Sequence, residues 1–98
     1  MRHEKDMQAK PTILIDNERT RVTEWRFAAG AATGWHRHEY DYVVVPMMDG
    51  RLELSTEDGE KQIAELSEGV AYFRRMGVEH DVKNVNEFEY AFIEVEFK

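Results

Sequence analysis

The sequence predicts an all-β chain folded as a sandwich or barrel, and three observations carry that prediction. Apolar residues alternate with polar ones at period two: Leu52 and Leu54 stand between Arg51, Glu53 and Ser55, and Ile93, Val95 and Phe97 between Glu94, Glu96 and Lys98. That is the pattern of strands with one buried face. No window of a dozen residues sustains helical spacing. Turn signals recur at Asp16-Asn17, Gly30, Asp49-Gly50, Asp58-Gly59, Glu68-Gly69, Met76-Gly77 and from Asn84 to Asn86. Short strands separated by turns at intervals of about ten residues are the signature of such folds.

The elements follow in order. Residues 1–10, MRHEKDMQAK, are polar and charged and read as a solvated tail, which leaves 11–98 for a single domain. A first strand over Thr12–Ile15 ends at the Asp16-Asn17 turn. The second, Arg21–Ala28, has Trp25 and Phe27 flanking Arg26. The third, Tyr42–Met48, holds the longest apolar stretch. Pro46 inside it lacks a ladder donor and predicts an edge or a bulge. Leu52–Thr56 and Lys61–Leu66 are joined by Asp58-Gly59, which suits a type I′ hairpin turn. Val70–Arg74 and Glu79–Val85 follow Gly69 and Gly77. The last strand, Glu89–Phe97, places Ala91, Ile93, Val95 and Phe97 on one face and Phe88, Tyr90 and Phe92 on the other. An aromatic second face predicts a homodimer interface through Phe88 and Phe92.

Composition removes whole classes of function. The 98 residues contain no cysteine, which excludes disulfides, Fe–S clusters, thiolate zinc sites and cysteine nucleophiles. Thirteen basic against twenty acidic residues give a net charge of -7, a field that repels a nucleic-acid backbone. No apolar run approaches the roughly 18 residues of a membrane span, and no apolar leader is visible, so a cytoplasmic protein is expected.

The chemistry sits with the histidines. Of the four, His3 lies in the tail and is read as inert. His36 and His38 are two apart, so on a strand they share a face and present two imidazoles side by side. That suits two cis ligands of one metal ion. The pair follows the glycine-rich turn Gly30-Ala-Ala-Thr-Gly34, and His80 stands on a later strand, after Gly77. A barrel can bring it opposite the pair. The alternative is that these histidines are ordinary hydrogen-bonded residues.

Two segments resemble the signature motifs of the cupin superfamily. Gly30-x5-His36-x-His38, followed after a strand by Gly50, is similar to the first motif, and Gly69-x5-Arg75-x-Gly77-x2-His80-x3-Asn84 to the second. Together they span residues 30–84. The resemblance implies a small antiparallel barrel, the double-stranded β-helix or jelly roll of RmlC-like cupins. It implies a divalent ion (Fe(II), Zn, Ni or Mn) held by His36, His38 and His80. The family's glutamate belongs four residues after the second histidine, where this chain has Tyr42. Counting back from Gly50 points to Val43 instead. Parity favours Tyr42, which is even-numbered like both histidines, and a bulge near Pro46 would reconcile the counts. Either way the usual carboxylate is missing. Arg75 stands where the family has proline. The run Gly34-Trp-His-Arg-His-Glu-Tyr-Asp-Tyr-Val-Val-Val45 also resembles single-domain cupins associated with beta-alanine degradation.

Three neutral imidazoles leave the ion its full charge and open positions, which attract an anionic small molecule. The expected function is metal-dependent chemistry on a small carboxylate or amino-acid-derived metabolite, either dioxygenase-like or a Lewis-acid lyase or isomerase step. Tyr42 is the candidate catalytic residue, as ligand, proton donor or hydrogen-bond partner of substrate. Arg26, Tyr72 and Trp35 are candidate substrate contacts, with Arg74 and Arg75 as further carboxylate-binding cations. Arg37 is expected to point away from the site, and Trp25 and Phe73 to pack the core. The competing expectation is a non-catalytic ligand-binding or sensory module with a structural metal or none.

Overall fold

The structure, a computed structural model, describes residues 8–98. His3 and the rest of residues 1–7 lie outside the described residues. Nine strands follow in order: β1 (Lys10–Asp16), β2 (Thr20–Phe27), β3 (His36–Arg37), β4 (Asp41–Pro46), β5 (Gly50–Ser55), β6 (Lys61–Leu66), β7 (Tyr72–Arg74), β8 (Glu79–Asn84) and β9 (Tyr90–Phe97). Among the described residues there is no helix, and so none long and apolar enough to cross a membrane.

The strands form a five-stranded sheet in the order β1-β2-β9-β4-β7 and a four-stranded sheet in the order β3-β8-β5-β6. Every paired strand is antiparallel. Phe27, Val44, Leu52, Val82, Tyr90 and Phe92 bury themselves between the sheets, and each fully buried apolar side chain contributes roughly 1.5–3 kcal/mol. This is the antiparallel jelly-roll barrel that the sequence predicts.

Each of the eight expected strands has its counterpart, with the first beginning at Lys10 inside the expected tail. The addition is β3, two residues long, too short to show an alternation. Two expectations are corrected and a third is narrowed. The Thr56–Glu60 turn is not type I′: Gly59 alone takes a positive φ, +85°, and Asp58 stays on the negative side. The Gly59 N–H donates to the Thr56 carbonyl at 2.9 Å. Of the two alternatives expected at Pro46, the bulge is absent and the open edge is present. The β4–β9 register runs unbroken from Asp41↔Phe97 to Pro46↔Phe92, and β7 stops opposite Val44, so one flank of Pro46 has no ladder to break.

The other correction concerns β9. Its inner face is the even-numbered one. Tyr90 and Phe92 are buried, with the Phe92 ring 5.6 Å from that of Phe27. Phe92 is therefore a core residue and no partner can reach it. The odd-numbered face, expected to be the core side, points outward at Ile93, Val95 and Phe97.

Candidate metal centre

Backbone register delivers the histidines to one point. His36 pairs directly with His80 across β3 and β8. His38 follows β3, and its peptide is clamped to the loop before β8: its N–H donates to Val78 O and its carbonyl accepts from Gly77 N, each at 2.8 Å. Gly77 holds φ at +96° to make that contact, a conformation that favours glycine. Gly34, at φ +85°, donates its N–H to Asp81 Oδ1 at 3.1 Å and offers its carbonyl to His36.

The rings are aimed by what lies behind them. His36 Nδ1 is 2.9 Å from the Gly34 carbonyl, which only accepts, so in the neutral tautomer that this contact selects Nδ1 carries the proton and Nε2 the lone pair. His38 Nδ1 faces Glu94 Oε2 at 3.7 Å. The Tyr42 ring lies flat on His38, with centroids 3.8 Å apart and planes 13° from parallel. His38 Nε2 is 3.1 Å from His36 Nε2 and 3.1 Å from His80 Nε2. One ring proton on His38 Nε2 makes a linear hydrogen bond to one of those two nitrogens and not to both. A cation among the three nitrogens satisfies all of them. Two donors 3.1 Å apart also match ligands at about 2.1 Å from a shared ion. The donor set fits a divalent metal.

Electrostatics keep the rings in ligand form. Burial, reinforced by the neighbouring rings, pushes His38 down to about 3. Burial and the same neighbour, His36, push His80 down to about 4. Both are neutral at pH 7. Burial also pushes the Tyr42 phenol well above its usual range, so it stays a neutral hydrogen-bond donor.

A cavity of about 860 Å³ opens beside the triad. Tyr42 and Tyr72 line it, as expected. Arg26 and Trp35 do not. Thr23 and Phe27 of β2 are buried, which turns Arg26 to the opposite face, where it pairs with Glu24 at 2.6 Å and Glu89 at 3.3 Å. Trp35 is 51% exposed. Arg37 has the opposite parity to the two histidines that flank it, reaches only the cavity's rim, and meets Glu79 at 3.6 Å. Trp25 lines the cavity as well as packing on the core, whereas Phe73 is half exposed on the outer face of its sheet.

Glu94 went unnoticed in the sequence. It is 7% exposed, takes a hydrogen bond from Trp25 Nε1 at 3.3 Å, and is pushed up to about 7, chiefly by burial and then by Glu96. The signal was its parity with Tyr90 and Phe92 on β9. It stands behind His38, on the side away from the converging nitrogens. It therefore does not replace the carboxylate missing at Tyr42.

The cupin domain family matches residues 23–96. The chain belongs to the cupin family. This cupin is 55% identical over 91 residues to the beta-alanine degradation protein BauB of Pseudomonas aeruginosa, covering 93% of this chain and 95% of that one. Among solved structures it is similar to a cupin domain protein from Bordetella pertussis, with 54% identity, a TM-score of 0.90, and 93% and 94% of the two chains covered. An RmlC-like cupin from Methanocaldococcus jannaschii shares the double-stranded β-helix fold at a TM-score of 0.75 and 18% identity, over 93% of this chain and 81% of that one.

Proposed function

We propose that this cupin is a metal-dependent enzyme acting on a small carboxylate or an amino-acid-derived metabolite. His36, His38 and His80 would hold one divalent ion. The observation that carries this is the pair of 3.1 Å contacts at His38 Nε2, which its single in-plane site does not serve with two linear hydrogen bonds. Bound there, an ion such as Fe(II), Zn, Ni or Mn supplies Lewis acidity or, if redox-active, oxygen chemistry. The protein supplies the rest. Tyr42 donates a hydrogen bond to substrate while its ring fixes His38. Tyr72 walls the cavity. The relative's link to beta-alanine degradation supports amino-acid-derived chemistry. An open cavity beside three donors favours catalysis over a structural ion closed by four protein ligands.

The test is metal content of tag-free protein by elemental analysis. Wild type is expected to retain close to one ion per chain, and His36→Ala or His80→Ala to retain none while keeping a β-rich circular dichroism spectrum. Equal metal in wild type and variants would remove the assignment.

We also propose a homodimer, built on a face other than the one first expected. The register aligns Ile15, Val22, Val95, Val43 and Phe73 in one row across all five strands of the larger sheet. Val43 and Val95 alternate with inward residues, so the row lies outside, with Ile15 and Phe73 about half exposed. A second copy of the same row is the occupant that such a self-complementary apolar stripe suits.

A further inference from the structure

We propose that Arg74, at the mouth of the cavity, is the residue that selects a carboxylate substrate. This rests on the three-histidine reading above and adds the group that recognises the far end of the ligand.

Three arginines line the cavity: Arg21, Arg37 and Arg74. Arg21 is shared between Asp16 at 3.7 Å and Glu96 at 3.6 Å, and Arg37 is taken by Glu79. Arg74 has no carboxylate within 4.0 Å among the described residues. It is nonetheless held in place. Its guanidinium carbon sits 4.6 Å from the Tyr72 ring centroid, and its NH1 donates to the Phe73 carbonyl at 2.9 Å. A guanidinium has five donors, so most remain for a ligand.

Its neighbours complete the subsite. Tyr42 stands directly opposite Arg74 on β4, and Tyr72 opposite Val44, two residues along on the same face. Tyr42 in turn stacks on His38. Among the described residues neither phenol oxygen has a hydrogen-bond partner in the protein, in contrast to Tyr90, whose hydroxyl donates to Met48 O at 3.0 Å. A fixed planar cation and two free O–H donors thus line the cavity beside the imidazole cluster. A carboxylate accepts the arginine fork and phenol protons together. An alcohol offers neither the charge nor the second oxygen.

The experiment is calorimetric titration of propionate, with 1-propanol as the uncharged probe, into chelator-stripped and Co(II)-loaded protein. Wild type is expected to bind propionate in preference to 1-propanol. Arg74→Met should weaken propionate binding tenfold to about a hundredfold in both forms. Arg74→Lys, which keeps the charge and loses the fork, should fall between. Arg26→Met, altering an arginine that faces away, should match wild type. Arg74 is exposed, so its replacement leaves the fold intact, as circular dichroism would verify. Equal propionate affinity in Arg74→Met and wild type would overturn the proposal, as would wild type that binds propionate no better than 1-propanol, or loss of binding in Arg26→Met. Failure of wild type to hold Co(II) would instead count against the metal centre, while the stripped-protein titrations still decide the role of Arg74.

Discussion

His38 is held on three sides: by Tyr42 on its face, by Glu94 behind Nδ1, and by the clamp of Gly77 and Val78 on its backbone. A carboxylate behind a ligating imidazole orients the ring and raises its basicity. Glu94→Gln preserves the acceptor for Trp25 and removes the ionisable carboxyl. It is expected to weaken metal binding by about 10–100-fold, measured by competition with a chelator, and unchanged affinity would free Glu94 from this role. The same residues set the acid response of the metal-free protein. Below pH 6.5, the ordinary histidine value, an unfolded chain protonates the two rings that the folded chain keeps neutral down to about 3 and 4. The unfolded state then binds more protons, so stability falls as the pH is lowered. Glu94, raised from 4.5 to about 7, opposes this with one proton across that interval only. Two rings outweigh one carboxylate. The thermal midpoint of chelator-treated protein should drop between pH 6.5 and 4.5 and more steeply below it; a flat profile would mean the rings are not neutral when folded. The triad was legible because two-residue spacing and a motif fix both parity and order. Glu94 was not, because a glutamate alternating with Ile93 and Val95 looks solvent-facing until the barrel shows which side is inside.

At the scale of elements, the strands were readable because alternation reports burial directly. The details that failed are those burial does not encode: a two-residue strand, a turn type, and which of two apolar faces of β9 turns inward. Asn84, the last residue of the second motif, shows what the motif secures besides the histidine cluster. It is fully buried. Its Nδ2 shares two hydrogens among Phe27 O at 3.1 Å, Ala28 O at 3.2 Å and Phe88 O at 2.9 Å, and its Oδ1 accepts from Asn86 N at 2.8 Å. One amide thereby ties the end of β2 to the segments leaving β8 and entering β9. Asn84→Ala strands several buried polar groups, each costing about 1–3 kcal/mol. A loss of roughly 3–5 kcal/mol is expected from urea unfolding, with a cost below about 1 kcal/mol showing that solvent replaces these bonds.

At the scale of the whole molecule, two sheets of one barrel face different tasks. The inner surface of the larger sheet carries Tyr42, Tyr72 and Glu94 into the cavity. Its outer surface carries the row from Ile15 to Phe73. The sequence expectation of an interface through Phe88 and Phe92 fails at Phe92, which is buried, since alternation is symmetric and only the register of β4 and β2 against β9 shows which face is inside. A net charge of -7 opposes self-association at long range. A dimer must therefore bring together a surface free of that charge, and the central residues Val43 and Val95 meet this condition. Val43→Glu places a like charge from each protomer at the centre of the row without touching the inner face, where Tyr42 and Val44 pack. Light scattering is expected to give about twice 11.6 kDa for wild type and a single chain for the variant, which should retain its metal if the ligands come from one protomer. A wild type that scatters as a single chain would leave the row uncovered and end the dimer; a Val43→Glu protein that still scatters as two chains would place the interface elsewhere.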